Sequence, residues 1–544
     1  MIAGRFGQRQ PSTAQRSLRA SEAQWFLDPR AAEPVLFWFV SRTMPAPPSI
    51  PHVCVALGFA RRAELLAAAR REWEEGETFF EFRLDYLENP EAGIEAIARF
   101  AGQHPECLII ATCRRAANHG RFQGDIEQQI RILQAAARAG ARAIDLEIES
   151  AAAARGRLED LRASAWLILS YHNFENTPAL EAVFNRMARL PADAYKLATT
   201  ARKPSDMQRA LALARSHPRQ RMVVFTMGEI GLPARILTPA FGALFTYAAP
   251  CEAEGTAPGQ ISAHQLRHLY RVERLSRETR IYGVIADPVG HSISPAVHNR
   301  AFQSRRIDAV YLPFLVAPTH LSDFMKLAAA LPVSGFSVTI PHKQRILHCL
   351  DAVEPLARRI GAVNTVWKKA GKWRGANADA DGVLVPLGKR LRLSHASVLL
   401  AGNGGAARSA AFALTDAGAK VAITGRNLQR VRALAKACGA EALSREQAVS
   451  RRFDAVVHAT SLGMFPHVDE CFFEDVIPAD LVFDMVYNPL ETRLIRRARE
   501  QGKQVILGLE MFLEQAARQF EIWTGEPAPR AAMQKAAEEA LARG

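Results

Sequence analysis

AYKLATTA, residues 194–201, is a run of strand type that carries one lysine, Lys196, among apolar and small residues. A lysine ammonium that loses its hydration gives up its proton more readily, and the neutral amine then attacks carbonyl carbon. Alone, such a lysine reads as a side chain snorkelling from a strand end. Seven further runs of the same character change that reading. VCVALGF, FFEFRLDYL, LIIATCR, AIDLEIE and WLILSYH precede it between Val53 and Pro250, and MVVFTMGE and ALFTYAA follow. Stretches rich in alanine, leucine and arginine, with helical period, separate them. Eight such strands with intervening helices predict an α/β fold, a closed (β/α)8 barrel of about 200 to 250 residues. Working groups in that fold gather at the carboxyl ends of the strands. Glu81 and Arg83 are placed on the second strand, Arg114 at the end of the third, His172 at the end of the fifth, Lys196 on the sixth, and Thr256 and Gln260 after the eighth. Schiff-base chemistry at Lys196 is the expectation.

FEFRLDYLE (residues 80–88), ATCRR (111–115), GDIEQQIRIL, SYHNFENTP, YKLATTA, MGEIGLPARILTPAFG and TAPGQIS follow one another along residues 51–262. In this order they resemble the type I 3-dehydroquinate dehydratases, and several motifs in sequence are far more specific than any one. The resemblance implies that Lys196 forms an imine with the substrate ketone. It also implies that His172 removes the adjacent proton and returns it to the departing hydroxyl. Arg235 of PARIL matches the arginine that clamps the substrate carboxylate through a bidentate pair. Glu81, Arg83, Arg114, Thr256 and Gln260 match substrate-binding positions. One departure matters: the family usually has a glutamate four residues after the arginine matched by Arg114, and Asn118 stands there. An amide accepts a hydrogen bond from imidazole but does not stabilise imidazolium as a carboxylate does. Slower dehydration is expected.

After AHQLRHLYRVERLSRETR (263–280), which reads as a helical connector, a new strand pattern begins at IYGVIADPVGHSISP. The remaining chain is too long to be a decoration on the barrel. Near its middle, VLLAGNGGAARSAAFAL joins a strand, the glycines Gly402, Gly404 and Gly405, and a helix-forming run. Small residues let the backbone approach a pyrophosphate, and the helix N-terminus offers oriented N–H groups. The next strand, KVAITGR, ends without an acidic residue and presents Arg426, with Arg430 a turn further on. A cation there suits a 2′-phosphate, so NADP is the expected cofactor. The plainer alternative is an exposed arginine on a basic protein.

PVGHSISPAVHN, GFSVTIPHK, IGAVNT, GANADADG, AGNGGAAR, HATSLGM, DMVYNPLETRLIRRA and GLEMFLEQAARQF cover residues 281–544 in the order of the shikimate dehydrogenases, which this half resembles. The resemblance implies Lys343 and Asp379 as a catalytic pair that delivers a proton as hydride arrives. Ser292, Ser294, Thr339, Asn364, Tyr487 and Gln515 match positions that hold the substrate. Gly402, Gly404, Gly405, Ala406, Arg426, Thr460 and Gly508 match the cofactor side. Ala378 replaces a usual threonine and His458 a usual asparagine, and neither change removes a catalytic group.

The organisation so implied is an extension at 1–50, a dehydratase barrel at 51–262, a connector at 263–280, and a two-lobed dehydrogenase. Its substrate-binding lobe is 281–395 with 508–544, and its Rossmann lobe is 396–507. The two halves would act in sequence in the shikimate pathway of aromatic amino acid biosynthesis, turning 3-dehydroquinate into 3-dehydroshikimate and that into shikimate. Such fusions occur in plants and some bacteria. Two alternatives are a quinate dehydrogenase in the second half, and a ligand-sensing regulator without turnover. Retention of Lys196, His172, Lys343 and Asp379 speaks against the regulator.

At 544 residues and 49% apolar, the chain can bury several cores. No apolar run approaches the length of a membrane span. Seven cysteines show no metal-ligand spacing, and their odd number argues against a complete disulfide framework, so a reducing compartment is expected. The net charge of +14 is dispersed over helices without an aromatic-interleaved basic stripe, which argues against nucleic acid as a partner. Residues 1–50 hold six arginines and three acidic residues. They read as a disordered extension, as a start assigned too early with Met44 as the true one, or as a transit peptide to a plastid. The excess of arginine over lysine favours a bacterial cytoplasm.

Overall fold

The computed structural model describes residues 50–250 and 255–543, so the reading of the first 49 residues lies outside the described part. Residues 50–544 form one compact unit. Its first sheet contains β1 (Val53–Leu57), β2 (Phe79–Arg83), β3 (Leu108–Thr112), β4 (Ala143–Glu147), β5 (Trp166–Asn173), β6 (Ala194–Thr200), β7 (Met222–Met227) and β8 (Thr246–Ala248). All pairings are parallel, in the order β7-β6-β5-β4-β3-β2-β1-β8. One seam separates β7 from β8. There the Leu244 N–H donates to the Met222 carbonyl at 2.7 Å, and the barrel is nearly closed.

Helices cover the outside of the barrel and side chains fill the inside, so most strand residues are buried on both faces. That is why the runs read as nearly continuous apolar segments. Alternation then sorts the faces. On β6, Tyr195 and Leu197 join the core beneath the helices, whereas Ala194 and Ala198 join the inner floor with Cys54, Phe79, Ile168 and Val223.

The connector, expected to be helical, is built from short helical turns. It makes one wide turn at Gln265–Leu269, with the Tyr270 N–H reaching five residues back to the Gln265 carbonyl, then a short turn at Val272–Arg274. Side-chain anchoring decides its path. The Arg267 guanidinium donates to Glu77 at 2.5 and 2.7 Å and to Glu273 at 2.9 Å, which ties the segment to the foot of β2.

The next sheet contains β9 (Arg280–Ala286), β10 (Ala309–Leu315), β11 (Gly335–Val338), β12 (Ala352–Val353), β13 (Thr365–Lys369) and β14 (Lys372–Ala376), ordered β10-β9-β11-β13-β14-β12. The helix Asp379–Gly388 leads on to the last sheet. That sheet contains β15 (Ser397–Ala401), β16 (Lys420–Thr424), β17 (Glu441–Ala442), β18 (Phe453–His458), β19 (Ala479–Asp484) and β20 (Gln504–Ile506), in the parallel order β17-β16-β15-β18-β19-β20. Strand order reverses between β15 and β18, which opens a ligand crevice at their carboxyl ends. The helices Gly508–Thr524 and Arg530–Arg543 return to the middle sheet, where Phe520 and Trp523 lie against Phe302 and Tyr282.

The barrel and the middle sheet share one hydrophobic core. Barrel helix Pro204–Ser216 packs on helix Leu321–Ala330, and the Ser205 N–H donates to Asp323 Oδ2 at 2.7 Å.

Candidate active sites

Four inward-facing side chains from the even-numbered barrel strands make one layer: Glu81 on β2, Asp145 on β4, Lys196 on β6 and Tyr247 on β8. Each layer of such a barrel takes its residues from alternate strands and is ordinarily filled with branched aliphatics. Here it is polar. Lys196 Nζ donates to Glu81 Oε1 at 3.2 Å, Asp145 Oδ2 at 3.0 Å and Tyr247 Oη at 2.9 Å, which occupies its three hydrogens. Thr112 and Ser170 donate to the two carboxylates at 2.9 and 2.6 Å. Burial alone would raise the Asp145 carboxyl, yet the Lys196 ammonium and the Arg114 guanidinium, with the Ser170 hydroxyl, hold it below the ordinary value. Lys196 is the third residue of β6, deeper in the barrel than the strand ends.

Above this layer opens a pocket lined in part by Arg83, Arg114, His172, Arg235, Thr256 and Gln260. His172, next to last on β5, has its imidazole pushed well below the usual value by burial and then by the nearby Arg114, Lys196 and Arg83 cations. It is therefore neutral and able to take a proton. Arg235 is 1% exposed, and two of its guanidinium nitrogens, Nε and Nη1, have no partner among the described residues. Burial pulls it down to about 9. A buried cation without a carboxylate is costly to hold, and an incoming anion would relieve that cost.

Other expected residues are already committed. Arg83 forms a fork with Asp85 at 2.9 and 2.8 Å. The Gln260 side-chain oxygen Oε1 accepts from the Thr256 and Ala257 N–H groups at 2.6 and 3.1 Å, which fixes their loop. Asn118 Nδ2 is buried without a partner, and no hydrogen bond joins Asn118 to His172, among the described residues.

In the second half, the chain brings SVTIPHK and NADADG together. Lys343 Nζ donates to Asp379 Oδ2 at 2.7 Å, and Asn364 Nδ2 donates to Asp379 Oδ1 at 2.7 Å and to Gln515 Oε1 at 3.3 Å. Asp379 opens the helix Asp379–Gly388, where the positive helix end favours a carboxylate. Behind them Tyr311 donates to Ser337 and Ser337 to Gln519, at 2.7 and 2.9 Å. Ser292 and Thr339 lie half-buried in loops, Ser294 is half-buried at the start of the helix Ser294–Ser304, and Tyr487 rests on Phe512. No hydrogen bond joins these four to Lys343 among the described residues.

The dinucleotide fingerprint follows β15. Gly402 has φ +135°, and a Cβ there would lie 2.6 Å from the Ala459 carbonyl oxygen. Cβ atoms on Gly404 and Gly405 would meet nothing within 4 Å, so open space lies before the helix Gly405–Asp416, and Ala406 sits in its first turn. Arg426 and Arg430 are exposed, with no ion-pair partner among the described residues. These features fit a dinucleotide with a 2′-phosphate. Thr460 is the second residue of the loop after β18, and Gly508 lets the Val486 carbonyl approach to where a Cβ would stand only 2.2 Å away.

Sequence reasoning missed Asp145, Tyr247, Ser337 and Gln519. The spacing Gln515 to Gln519, one helical turn, was a usable signal for the last of these.

A lysine-centred barrel followed by a two-lobed NADP-type dehydrogenase defines the class: a lyase joined to an oxidoreductase. The model of type I 3-dehydroquinase matches residues 53–277. Three shikimate dehydrogenase models follow: the substrate binding domain at 284–366, shikimate/quinate 5-dehydrogenase at 387–467, and the C-terminal domain at 508–538. The chain is 35% identical over 484 residues to the chloroplastic bifunctional 3-dehydroquinate dehydratase/shikimate dehydrogenase of Arabidopsis thaliana, covering 84% of this chain and 79% of that one. It is 41% identical over 280 residues to the shikimate dehydrogenase (NADP(+)) of Oleidesulfovibrio alaskensis, covering 50% of this chain and 99% of that one. Among solved structures, shikimate 5-dehydrogenase from Thermus thermophilus in complex with NADP(H) and shikimate aligns with TM-score 0.45 and 35% identity, over 48% of this chain and 99% of that one. The chain belongs to the family of bifunctional 3-dehydroquinate dehydratase/shikimate dehydrogenases.

Proposed function

We propose that Lys196 is the imine-forming nucleophile of the dehydratase and that Lys343 and Asp379 relay the proton of the dehydrogenase. The chain dehydrates 3-dehydroquinate to 3-dehydroshikimate, then reduces that ketone to shikimate with NADPH. The observation that carries the barrel assignment is the buried Lys196 beneath a pocket that holds a neutral His172 and the buried Arg235, whose Nε and Nη1 have no partner among the described residues. Arg235 binds the substrate carboxylate, Lys196 takes the ketone, and His172 removes the proton that the imine has acidified, then returns it to the departing hydroxyl. Glu81, Arg83, Arg114, Thr256 and Gln260 hold the remaining hydroxyls.

In the second half the bound nicotinamide supplies the hydride. Lys343 gives a proton to the carbonyl oxygen as charge develops there, and Asp379 orients and recharges it across 2.7 Å. Ser292, Ser294, Thr339, Asn364, Tyr487 and Gln515 position the shikimate carbon skeleton. The glycines Gly402, Gly404 and Gly405, with Ala406, Thr460 and Gly508, receive the dinucleotide, and Arg426 meets its 2′-phosphate. The domain boundaries we propose are 51–262 for the barrel, 281–395 with 508–544 for the substrate lobe, and 396–507 for the Rossmann lobe.

Borohydride added during turnover of 3-dehydroquinate should leave a reduced adduct on Lys196, read by mass spectrometry. Lys196→Ala should abolish dehydration. An adduct elsewhere, or none, sinks the assignment. The compartment we propose is the cytoplasm, on the arginine-heavy composition; cleavage of the chain during import into isolated chloroplasts would overturn it.

A further inference from the structure

We propose that Tyr247 is a catalytic residue of the barrel, carrying protons between Lys196 Nζ and the substrate oxygen as the imine is made and broken. The inference rests on the reading of Lys196 as the imine-forming residue. Tyr247 occupies the β8 position of the polar layer, 3% exposed, with its hydroxyl 2.9 Å from Nζ and the ammonium 4.0 Å from its ring centre. Of the three groups that touch Nζ it alone is uncharged. Burial and then the Glu81 carboxylate push its phenol well above the usual value, so it stays a hydroxyl.

Converting an ammonium and a ketone into a protonated imine and water moves two protons from nitrogen to oxygen, with no net gain or loss. Carboxylates can accept but have none to give, whereas a hydroxyl accepts and donates at once. As the N–C bond forms, Tyr247 Oη takes one proton from Nζ and passes its own to the ketone oxygen, giving a carbinolamine. In a second passage another N–H proton reaches that hydroxyl by the same route. The C–O bond breaks, water leaves, and the nitrogen lone pair closes the C=N bond. Tyrosine ends each passage as it began. Hydrolysis of the product imine runs the same path backwards.

Tyr247→Phe removes the hydroxyl and keeps the ring, with its edge contacts to Phe225 and Phe245 at 5.9 and 5.4 Å. Rapid mixing with 3-dehydroquinate, quenching in borohydride and mass spectrometry give the rate of imine formation, with shikimate oxidation as the control for folding. The variant should form the Lys196 adduct at least tenfold more slowly, with KM little changed and shikimate oxidation at the wild-type rate. In mixtures of light and heavy water the wild-type rate should bend as two protons in flight require, and the bend should vanish in Tyr247→Phe. An adduct formed at the wild-type rate, or an unchanged bend, overturns the relay. A wild-type enzyme that yields no adduct on Lys196 takes down the imine reading instead.

Discussion

An imidazole cut off from water and ringed by cations holds its proton weakly. His172 is half-buried among such cations, and as the proposed dehydratase base it would work only when neutral. Its lowered value means that the neutral form survives into more acidic solution. The acid limb of dehydratase kcat/KM should therefore fall below the ordinary imidazole range, and a limb at or above that range would mean that the cations do not act on His172. Asn118→Glu should move the limb upward and raise turnover, because the adjacent His119 already influences the His172 imidazole and a carboxylate there favours the imidazolium. Arg426→Ala should weaken NADP by about 1.5–3 kcal/mol, the worth of a charged hydrogen bond, and NAD much less. Equal losses in binding would assign Arg426 to the fold. At this scale Lys196, His172, Lys343 and Asp379 were legible as candidates because they sit inside recognisable motifs. Asp145 and Tyr247 were not, because AIDLEIE and FTYAA read only as strand-forming sequence. Nothing along a line of residues says that every second strand contributes to one level of a barrel.

Strands and loops bring a different lesson. All eight barrel runs became strands, since β-branched and aromatic residues without polar interruption fit a doubly covered sheet. The course of the connector was not legible because it is decided by Arg267 reaching Glu77, a partner 190 residues away. His458 shows how much one substitution can organise. Its Nδ1 donates to Asp484 Oδ1 at 2.9 Å and its Nε2 pairs with Thr460 Oγ at 2.5 Å, while Asp484 also accepts from Thr492 Oγ at 2.5 Å and from the Val486 N–H at 3.1 Å. The loops after β18 and β19 are thus joined beneath the cofactor crevice. His458→Leu should cost about 1.5–3 kcal/mol through the lost bond to a charged group and should raise KM for NADP. His458→Asn, the residue usual in shikimate dehydrogenases, should recover part of both. Urea unfolding with parallel kinetics checks this, and a leucine variant with unchanged cofactor affinity would leave the network without a role in binding.

The whole molecule is bound more tightly than its two chemistries require. The hydrophobic core runs without a break from the barrel into the middle sheet, and Gln303 donates to the His268 and Leu269 carbonyls at 3.1 and 3.2 Å across the connector. Dehydration and shikimate oxidation should therefore be lost together on heating, within a few degrees of one another, when residual activities are followed in one sample. Two well-separated midpoints would show independent domains. A shared core also reaches beyond the test tube. A mutation that loosens Phe324 or Phe336 lowers the folded fraction of the dehydratase as well as that of the dehydrogenase, and proteases clear both from the cell in the same proportion. Inherited variation in this gene can then change the supply of the two enzymes but not their ratio. Under such destabilising changes the intermediate between them still meets as many molecules that consume it as molecules that make it.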